Sequence, residues 1–219
     1  MATTQGKACR VLVLISGSGS NLQAIINYSQ REKSDFGICA VISNRPEVAG
    51  LERAAAVGID TVTIDHKTFP DRESFDQALV DTLEPFSVDL VILAGFMRIL
   101  TPVFINRYAG RLLNIHPSLL PRYPGLNTHQ RAIDAGDSEA GATVHFVTEE
   151  LDGGPPVLQA SVPVNADDEA SVLAARVLEK EHIIYPLAAR WFLEGRLRLS
   201  SAGAELDGEV LGPSGFAHT

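Results

Sequence analysis

Residues 112–121 read Leu-Leu-Asn-Ile-His-Pro-Ser-Leu-Leu-Pro, an apolar stretch that carries two polar side chains and is then interrupted by proline. Side chains alternate between the two faces of a strand, so Asn114 and His116 are predicted on one face, with Cα atoms about 6.5–7 Å apart. An amide and an imidazole side by side at a strand end can stabilise a developing oxyanion. The alternative that this stretch leaves open is a structural Asn beside a core His.

Further apolar runs predict a sheet around this strand. Predicted strands alternate with helical segments along the chain at residues 10–16, 37–43, 60–64, 88–94 and 110–116. Two later runs, 141–148 and 155–164, are joined by a short connection and are therefore predicted to be antiparallel neighbours. The sequence thus predicts an α/β fold: a single Rossmann-like domain with a mostly parallel twisted sheet, an antiparallel strand in the C-terminal half, and helices on both faces.

Length and composition limit the classes of protein. With 219 residues, one domain spanning 1–219 is expected. The net charge of −9 disfavours a nucleic acid or an acidic membrane as partner. No apolar run reaches the roughly 18 residues of a membrane helix, and residues 1–9 lack an apolar signal region. Cys9 and Cys39 are predicted to be thiols rather than a disulfide, so the expected location is cytoplasmic.

The C-terminal region has two predicted parts. A long final helix is expected to start at Asp167 or Asp168 and to run through about Trp191. Residues 200–219 are rich in Gly, Ala and Ser, and we expect them to form a loose tail.

A glycine-rich turn, Gly-Ser-Gly-Ser-Asn at 17–21, follows the first predicted strand and opens a helix. Backbone N–H groups and the helix dipole converge at such a turn and can bind an anion. The dinucleotide pattern fails because Leu22 replaces its third glycine and residues 43–45 lack the expected acid, and the Lys of a P-loop is absent. A monophosphate is therefore favoured, and a tight turn capped by Ser20 or Asn21 is the alternative.

Residues 95–100, Gly-Phe-Met-Arg-Ile-Leu, follow the fourth predicted strand, where an open α/β sheet binds its ligands. Met97, Ile99 and Leu100 could wall an apolar pocket with Arg98 at its lip, or they could simply be core. Arg72 falls in the first turn of a predicted helix, where the dipole disfavours a cation. It either reaches a partner or is a solvated surface residue.

Asp152 lies in the loop Glu-Glu-Leu-Asp-Gly-Gly at 149–154, whose glycines allow a backbone to approach a ligand closely. A carboxylate that accepts a hydrogen bond from an imidazole orients the ring and favours its charged form. Asn114, His116 and Asp152 together suit acyl-type transfer without a protein nucleophile, because the chain has neither a Gly-x-Ser-x-Gly elbow nor a candidate catalytic cysteine.

The segment His-Pro-Ser-Leu-Leu-Pro-Arg-Tyr-Pro-Gly at 116–125 resembles the signature of the folate-dependent formyltransferases. Four more stretches are similar to motifs of the branch that acts on glycinamide ribonucleotide, at 93–100, 113–116, 151–155 and 181–186, and the resemblance runs from about residue 10 to about 198. It implies the formyltransferase fold. It also implies transfer of a formyl group from 10-formyltetrahydrofolate, as co-substrate, to the glycine amine of glycinamide ribonucleotide in de novo purine synthesis, without a metal or covalent intermediate.

The resemblance also implies roles for individual residues. Asn114, His116 and Asp152 would be catalytic. The substrate would be held at its phosphate by Gly19, Ser20 and Asn21 and at its ribose by Glu181. The folate site would be lined by Arg72, Met97, Arg98, Ile99, Leu100 and Asn114. The phosphate-binding half would span about 9–108, and the catalytic and folate-binding half about 109–199.

Some features depart from the family or stay outside the expected catalytic set. Asn127 stands where some members have His, and His129 and His145 match family positions but are expected to be structural or peripheral. Methionyl-tRNA formyltransferase and formyltetrahydrofolate deformylase are the nearest rivals, and each usually carries a further domain for which this chain has no room. A non-catalytic ligand-binding protein would be expected to lose Asn114, His116 and Asp152. A monomer or homodimer is expected.

Overall fold

A computed structural model describes residues 9–31 and 36–218. The chain divides into two compact units, with the boundary between Tyr108 and Ala109. The strands are β1 (Cys9–Ile15), β2 (Gly37–Ser43), β3 (Asp60–Thr63), β4 (Leu90–Leu93), β5 (Leu112–His116), β6 (Glu139–Phe146), β7 (Pro156–Pro163), β8 (Leu197–Ser200), β9 (Gly203–Leu206), β10 (Glu209–Val210) and β11 (Phe216–His218). The α-helices are α1 (Ser20–Ser29), α2 (Ala49–Ala55), α3 (Arg72–Leu83), α4 (Pro102–Arg107), α5 (Thr128–Asp134) and α6 (Ala170–Leu193).

The first unit contains a parallel sheet. Its strands lie in the order β4-β1-β2-β3, and each pair is parallel. Residues 11–15 of β1 are fully buried, as expected for a strand between two parallel neighbours. The predicted strands of this half are confirmed, with ends shifted by one or two residues.

The second unit adds antiparallel strands. Its main strands follow the order β11-β7-β6-β5, in which β5–β6 and β6–β7 are antiparallel and β11–β7 is parallel. The predicted antiparallel pair, 141–148 with 155–164, is therefore confirmed. Helix α6 packs on β6 and β7.

The prediction that residues 200–219 form a loose tail was wrong. Strands β8, β9 and β10 form a separate antiparallel sheet, and β11 adds to the edge of β7. Ion pairs hold the first hairpin, with Arg196 on Asp207 and Arg198 on Glu205. Of the glycines in this segment, Gly203 begins β9, and Gly208 lies in the turn before β10, where its φ of 90° is one that a larger residue rarely adopts.

The final helix begins later than predicted, at Ala170 rather than at Asp167 or Asp168. Asp168 closes the preceding turn instead, because its carboxylate accepts the N–H of Asn165 at 2.8 Å and pairs with Arg176 at 2.7 Å. The hydrogen bond from Arg176 is the main cause that holds the pKa of Asp168 well below its ordinary value. Within the described residues, no helix is long and apolar enough to cross a membrane.

The prediction of a free Cys39 thiol was also wrong, because Cys39 is disulfide-bonded. Its strand, β2, pairs in parallel with β1, and the backbone of Cys9 lies opposite Gly37. Sequence spacing alone did not indicate a disulfide, because the two cysteines are 30 positions apart along the chain.

Candidate active site

Four polar side chains meet on one face of the β5–β6 pair. The register sets Asn114 opposite His145 and His116 opposite Thr143. Directly opposed residues of an antiparallel pair have neighbouring side chains on the same face. The predicted pair of Asn114 and His116 is thus extended by two residues from the adjacent strand.

Asn114 is oriented by His145. The Asn114 Nδ2 atom lies 3.1 Å from His145 Nε2, and His145 Nδ1 lies 2.9 Å from the carbonyl oxygen of Phe146. A carbonyl only accepts, so Nδ1 carries the ring proton and Nε2 accepts from the Asn114 amide. Burial lowers the pKa of His145, although the bond to Phe146 and the nearby Asp152 act against this, and the neutral ring fits its role as acceptor.

His116 is buried between two acceptors. Its Nδ1 atom lies 3.4 Å from Asp152 Oδ2, and its Nε2 atom lies 2.9 Å from the carbonyl oxygen of Tyr123. Each ring nitrogen therefore faces an oxygen atom, with the Tyr123 carbonyl at hydrogen-bond distance and the Asp152 carboxylate at ion-pair distance. The side chain of His116 is only 7% exposed, and that of Asp152 only 9%.

Asp152 is held by its own loop. Its φ is 52°, in the left-handed region that Asp tolerates better than most residues. Its Oδ2 atom also accepts the N–H of Gly125 at 2.9 Å. A Cβ at Gly154 would lie 1.8 Å from the Phe146 carbonyl oxygen, so glycine is required for the loop to pass this close to β6. No group of three or more His, Cys, Asp or Glu among the described residues is arranged to hold a metal ion.

Buried hydrogen bonds hold the proline-rich loop that covers His116. The hydroxyl of Thr143 donates to the Ser118 carbonyl at 2.6 Å and accepts the N–H of Leu120 at 3.0 Å. Gln159 donates to the Leu120 carbonyl at 2.7 Å. Side chains of β6 and β7 therefore fix the start of the loop relative to the polar cluster.

The glycine-rich turn of the first unit is tightly packed. Gly19 has a φ of 72°, and a Cβ there would lie 2.7 Å from the Cα of Gly50. The backbone N–H of Gly50 donates to the carbonyl oxygen of Gly17 at 3.1 Å, and the Nε atom of Arg53 donates to the carbonyl oxygen of Ser18 at 2.8 Å. Helix α1 starts at Ser20 with Gly19 as N-cap and without a side-chain cap, so the alternative of a capping Ser20 or Asn21 is excluded.

The loop after β4 exposes apolar side chains. Met97 and Ile99 are 71% and 53% exposed, whereas Leu100 is 7% exposed. Met97 and Ile99 are therefore not core residues, and Leu100 is. Arg98 is half-buried, with its guanidinium carbon 5.6 Å from the centroid of the Phe75 ring.

The remaining predicted residues lie on helices. Arg72 is exposed at the start of α3, and Glu181 is buried on α6. His129 of α5 is half-buried, and its pKa is lowered by burial and by the nearby charge of His116. Asn127 precedes α5 with a φ of 58° and makes no side-chain cap.

His145 is the residue that the sequence analysis left outside the set. It is in direct contact with Asn114, and its Nε2 atom is 3.9 Å from Asp152 Oδ1. The sequence carried a signal for it, because Thr143 and His145 alternate with apolar residues in a strand and so must share a face.

Comparison with known proteins identifies the family. A family model described as formyl transferase matches residues 9–189. The chain belongs to this family. Phosphoribosylglycinamide formyltransferase of Escherichia coli is 53% identical over 207 residues, which cover 94% of this chain and 98% of that protein. The trifunctional purine biosynthetic protein adenosine-3 of Homo sapiens is 47% identical over 90% of this chain, which spans 20% of that longer protein.

Solved structures extend the similarity to the fold. The phosphoribosylglycinamide formyltransferase of Coxiella burnetii superposes with a TM-score of 0.92 at 46% identity, covering 96% of this chain and 99% of that one. The formyltransferase is therefore an enzyme with the α/β formyltransferase fold, as the sequence predicted. A small antiparallel sheet, β8–β10, is also present.

Proposed function

We propose that this formyltransferase transfers a formyl group from 10-formyltetrahydrofolate to the glycine amine of glycinamide ribonucleotide. The amine nitrogen attacks the formyl carbon, and the carbonyl oxygen becomes an oxyanion. The bond between carbon and N10 of the folate then breaks, and the proton lost by the amine is delivered to N10. The products are formylglycinamide ribonucleotide and tetrahydrofolate.

The observation that carries this proposal is the polar cluster of Asn114, His116 and Asp152, in which Asn114 is half-buried and the other two side chains are less than a tenth exposed. The amide hydrogen of Asn114 that does not bind His145 and a charged His116 would both donate to the oxyanion. Asp152 faces the Nδ1 atom of His116 at 3.4 Å, where its negative charge would attract the charged ring and orient it. Preorganised donors of this kind act most strongly where water is excluded, and removal of one typically costs about 100–1,000-fold in rate.

The Tyr123 carbonyl is the partner that the oxyanion would replace. It accepts from His116 Nε2 at 2.9 Å, so this nitrogen is already aimed at an oxygen atom. Displacement of the carbonyl during turnover would require movement of residues 121–125 against the bonds from the Tyr123 hydroxyl to Asp137 at 2.7 Å and from Arg131 to the Pro124 carbonyl at 2.6 Å. Asp152 binds Gly125 N–H and would couple that movement to the imidazole.

Substrate recognition is assigned to the first unit and to α6. Gly19, Ser20 and Asn21 would bind the phosphate, supported by a ten-residue helix whose N-terminus lacks a side-chain cap. Glu181 would accept hydrogen bonds from the ribose hydroxyls. Its carboxylate is buried, which suits a directed contact better than a solvated charge.

The folate site is assigned to the loop after β4 and to α3. Exposed Met97 and Ile99 would cover the flat folate ring, and burial of such side chains contributes about 25 cal/mol per Å² of apolar surface. Leu100 would support them from the core, and Arg98 and Arg72 would face the acidic end of the cofactor. Asn114 would contact its formyl group.

The proposed partners are these two small molecules. The net charge of −9 supports neither a nucleic acid nor an acidic membrane as a partner. We propose that the protein acts in the cytoplasm as a monomer or homodimer. The location rests on the proposed reaction, because the disulfide of Cys39 removes the argument from free thiols.

The decisive assay mixes purified protein with glycinamide ribonucleotide and 10-formyltetrahydrofolate and quantifies both products. We expect equal amounts of formylated ribonucleotide and tetrahydrofolate. Release of formate and tetrahydrofolate without formylated ribonucleotide would mean that water is the acceptor, and the proposal would be wrong. A parallel reaction with glycinamide riboside, which lacks the phosphate, is expected to show a greatly raised KM.

A further inference from the structure

Two buried side chains hold the backbone of the loop after β4. Ser16 Oγ accepts the N–H of Met97 at 2.8 Å, and Asp76 Oδ2 accepts the N–H of Thr101 at 2.5 Å. Ser16 is 2% exposed and Asp76 is 1% exposed. The exposed side chains of Met97 and Ile99 lie between the two anchors, so the loop presents apolar groups on a backbone that is already fixed.

Burial of the Asp76 carboxylate costs free energy. Burial raises the pKa of its carboxyl group, while the bond from Thr101 and the charge of Arg98 act against that rise. A buried carboxylate costs more free energy than a neutral acceptor of the same N–H group. The extra cost suggests that the charge serves something besides the bond to Thr101.

Arg98 is the group on which that charge acts. Its Nε atom is buried and has no hydrogen-bond partner within the described part of the chain. Its guanidinium lies over the Phe75 ring at 5.6 Å, one residue before Asp76 on α3. Among the described residues no ion pair within 4 Å joins Arg98 to Asp76, so the direct contact of the guanidinium is with Phe75, and the charge of Asp76 acts on it at longer range.

Ser16 forms the second, neutral anchor. Its hydroxyl donates to Asn44 Oδ1 at 2.5 Å, which leaves its oxygen free to accept from Met97. Asn44 is 1% exposed, so this chain of bonds is shielded from water. The loop is thus held at one end by a neutral chain and at the other by a carboxylate.

We propose that Asp76 is a positioning residue for the formyl folate, with Ser16 as its neutral counterpart. The inference rests on the function proposed above. Asp76 does not touch the cofactor. It fixes residues 97–101 and restrains Arg98 before the cofactor arrives, so that binding does not have to order them.

The test is Asp76→Asn, with Asp81→Asn as the matched control. Asn keeps a carbonyl that can accept from Thr101 but lacks the charge that acts on Arg98. Asp81 lies on the same helix, is exposed, and accepts only from Gln77 one turn earlier among the hydrogen bonds found. We expect Asp76→Asn to raise KM for 10-formyltetrahydrofolate about tenfold, with kcat and KM for the ribonucleotide within about twofold of wild type. Asp81→Asn should change none of these values.

A general structural role would give a different result. It would lower the melting temperature and the active fraction, and would not separate the two KM values. A folded Asp76→Asn with unchanged folate KM would overturn the inference. If that variant does not fold, Ser16→Ala decides, because it is expected to raise the folate KM selectively as well, and an unchanged value would overturn the inference.

The proposed function and this inference fail in different ways. A wild-type protein that does not formylate the ribonucleotide contradicts both, because the inference depends on the proposed function. A wild-type protein with normal turnover, together with an Asp76→Asn variant whose two KM values are unchanged, contradicts the inference alone.

Discussion

Replacement of Asp152 by Asn tests the charge beside His116 with little change of shape. Asn tolerates the left-handed backbone that Asp152 adopts at φ 52°, and its side-chain carbonyl can still accept the Gly125 N–H. The lost interaction is the one between carboxylate and imidazole across 3.4 Å, where both side chains are less than a tenth exposed. The attraction of an opposite charge within about 4–6 Å typically stabilises a charged group by about 1.4–4 kcal/mol, and its loss corresponds to a fall of about 10- to 1,000-fold in kcat.

The assay compares kcat and melting temperature for Asp152→Asn and Asp134→Asn. Asp134 is exposed on α5 and accepts from Gln130 one turn earlier, so the control makes the same chemical change away from the cluster. We expect the control to retain wild-type kcat. An Asp152→Asn variant with a wild-type melting temperature and kcat within twofold of wild type would refute the electrostatic role of Asp152.

Three further predictions concern His145 and the C-terminal strand. His145→Leu should lower kcat about tenfold without a selective change in either KM, because Leu has no acceptor to orient the Asn114 amide. Rapid-quench turnover would measure this, and an unchanged rate would contradict it. Burial lowers the pKa of His145 below its ordinary value of 6.5, so below about pH 6.5 the unfolded chain binds more protons than the folded one. The free energy of unfolding should therefore fall as the pH drops, by at most about 1.4 kcal/mol per pH unit. Urea titrations should show that this free energy depends less steeply on pH in His145→Gln than in wild type. Phe216→Ser should lower the melting temperature by about 2–5 °C and leave kcat unchanged, because it removes a ring whose centroid lies 5.5 Å from that of Trp191. Trp191 is the single tryptophan of the sequence, so its fluorescence would report the lost contact. An unaltered emission spectrum would contradict the prediction.

Alternation along single strands was enough to predict Asn114 and His116 on one face. It could not supply His145, because the pairing of Asn114 with His145 depends on the register between two strands. A shift of one residue would have turned Thr143 and His145 to the opposite face. The alternation within one strand predicts which of its residues share a face. The register between strands decides which residues of the neighbouring strand complete the site.

The C-terminal residues show the opposite failure. Gly, Ala and Ser lowered the local hydrophobicity of 200–219, and composition alone therefore suggested disorder. Order comes instead from partners outside the segment, since Arg196 pairs with Asp207 and Trp191 contacts Phe216. Such contacts leave no periodic signal in the segment itself.

The bond between His116 and the Tyr123 carbonyl explains how the cluster could bind the transition state more strongly than the substrate. A formyl oxygen in the ground state is a neutral acceptor, as is the Tyr123 carbonyl that occupies His116 Nε2 at 2.9 Å. Exchange of one neutral acceptor for another gains little free energy. The donor is a charged His116 in this proposal, and an oxyanion attracts a charged ring more strongly than a neutral carbonyl does, so the exchange becomes favourable only as negative charge develops. Stronger binding of the transition state than of the substrate raises kcat rather than merely lowering KM. It arises here because the Tyr123 carbonyl is neutral, like the formyl oxygen of the substrate and unlike the oxyanion of the transition state.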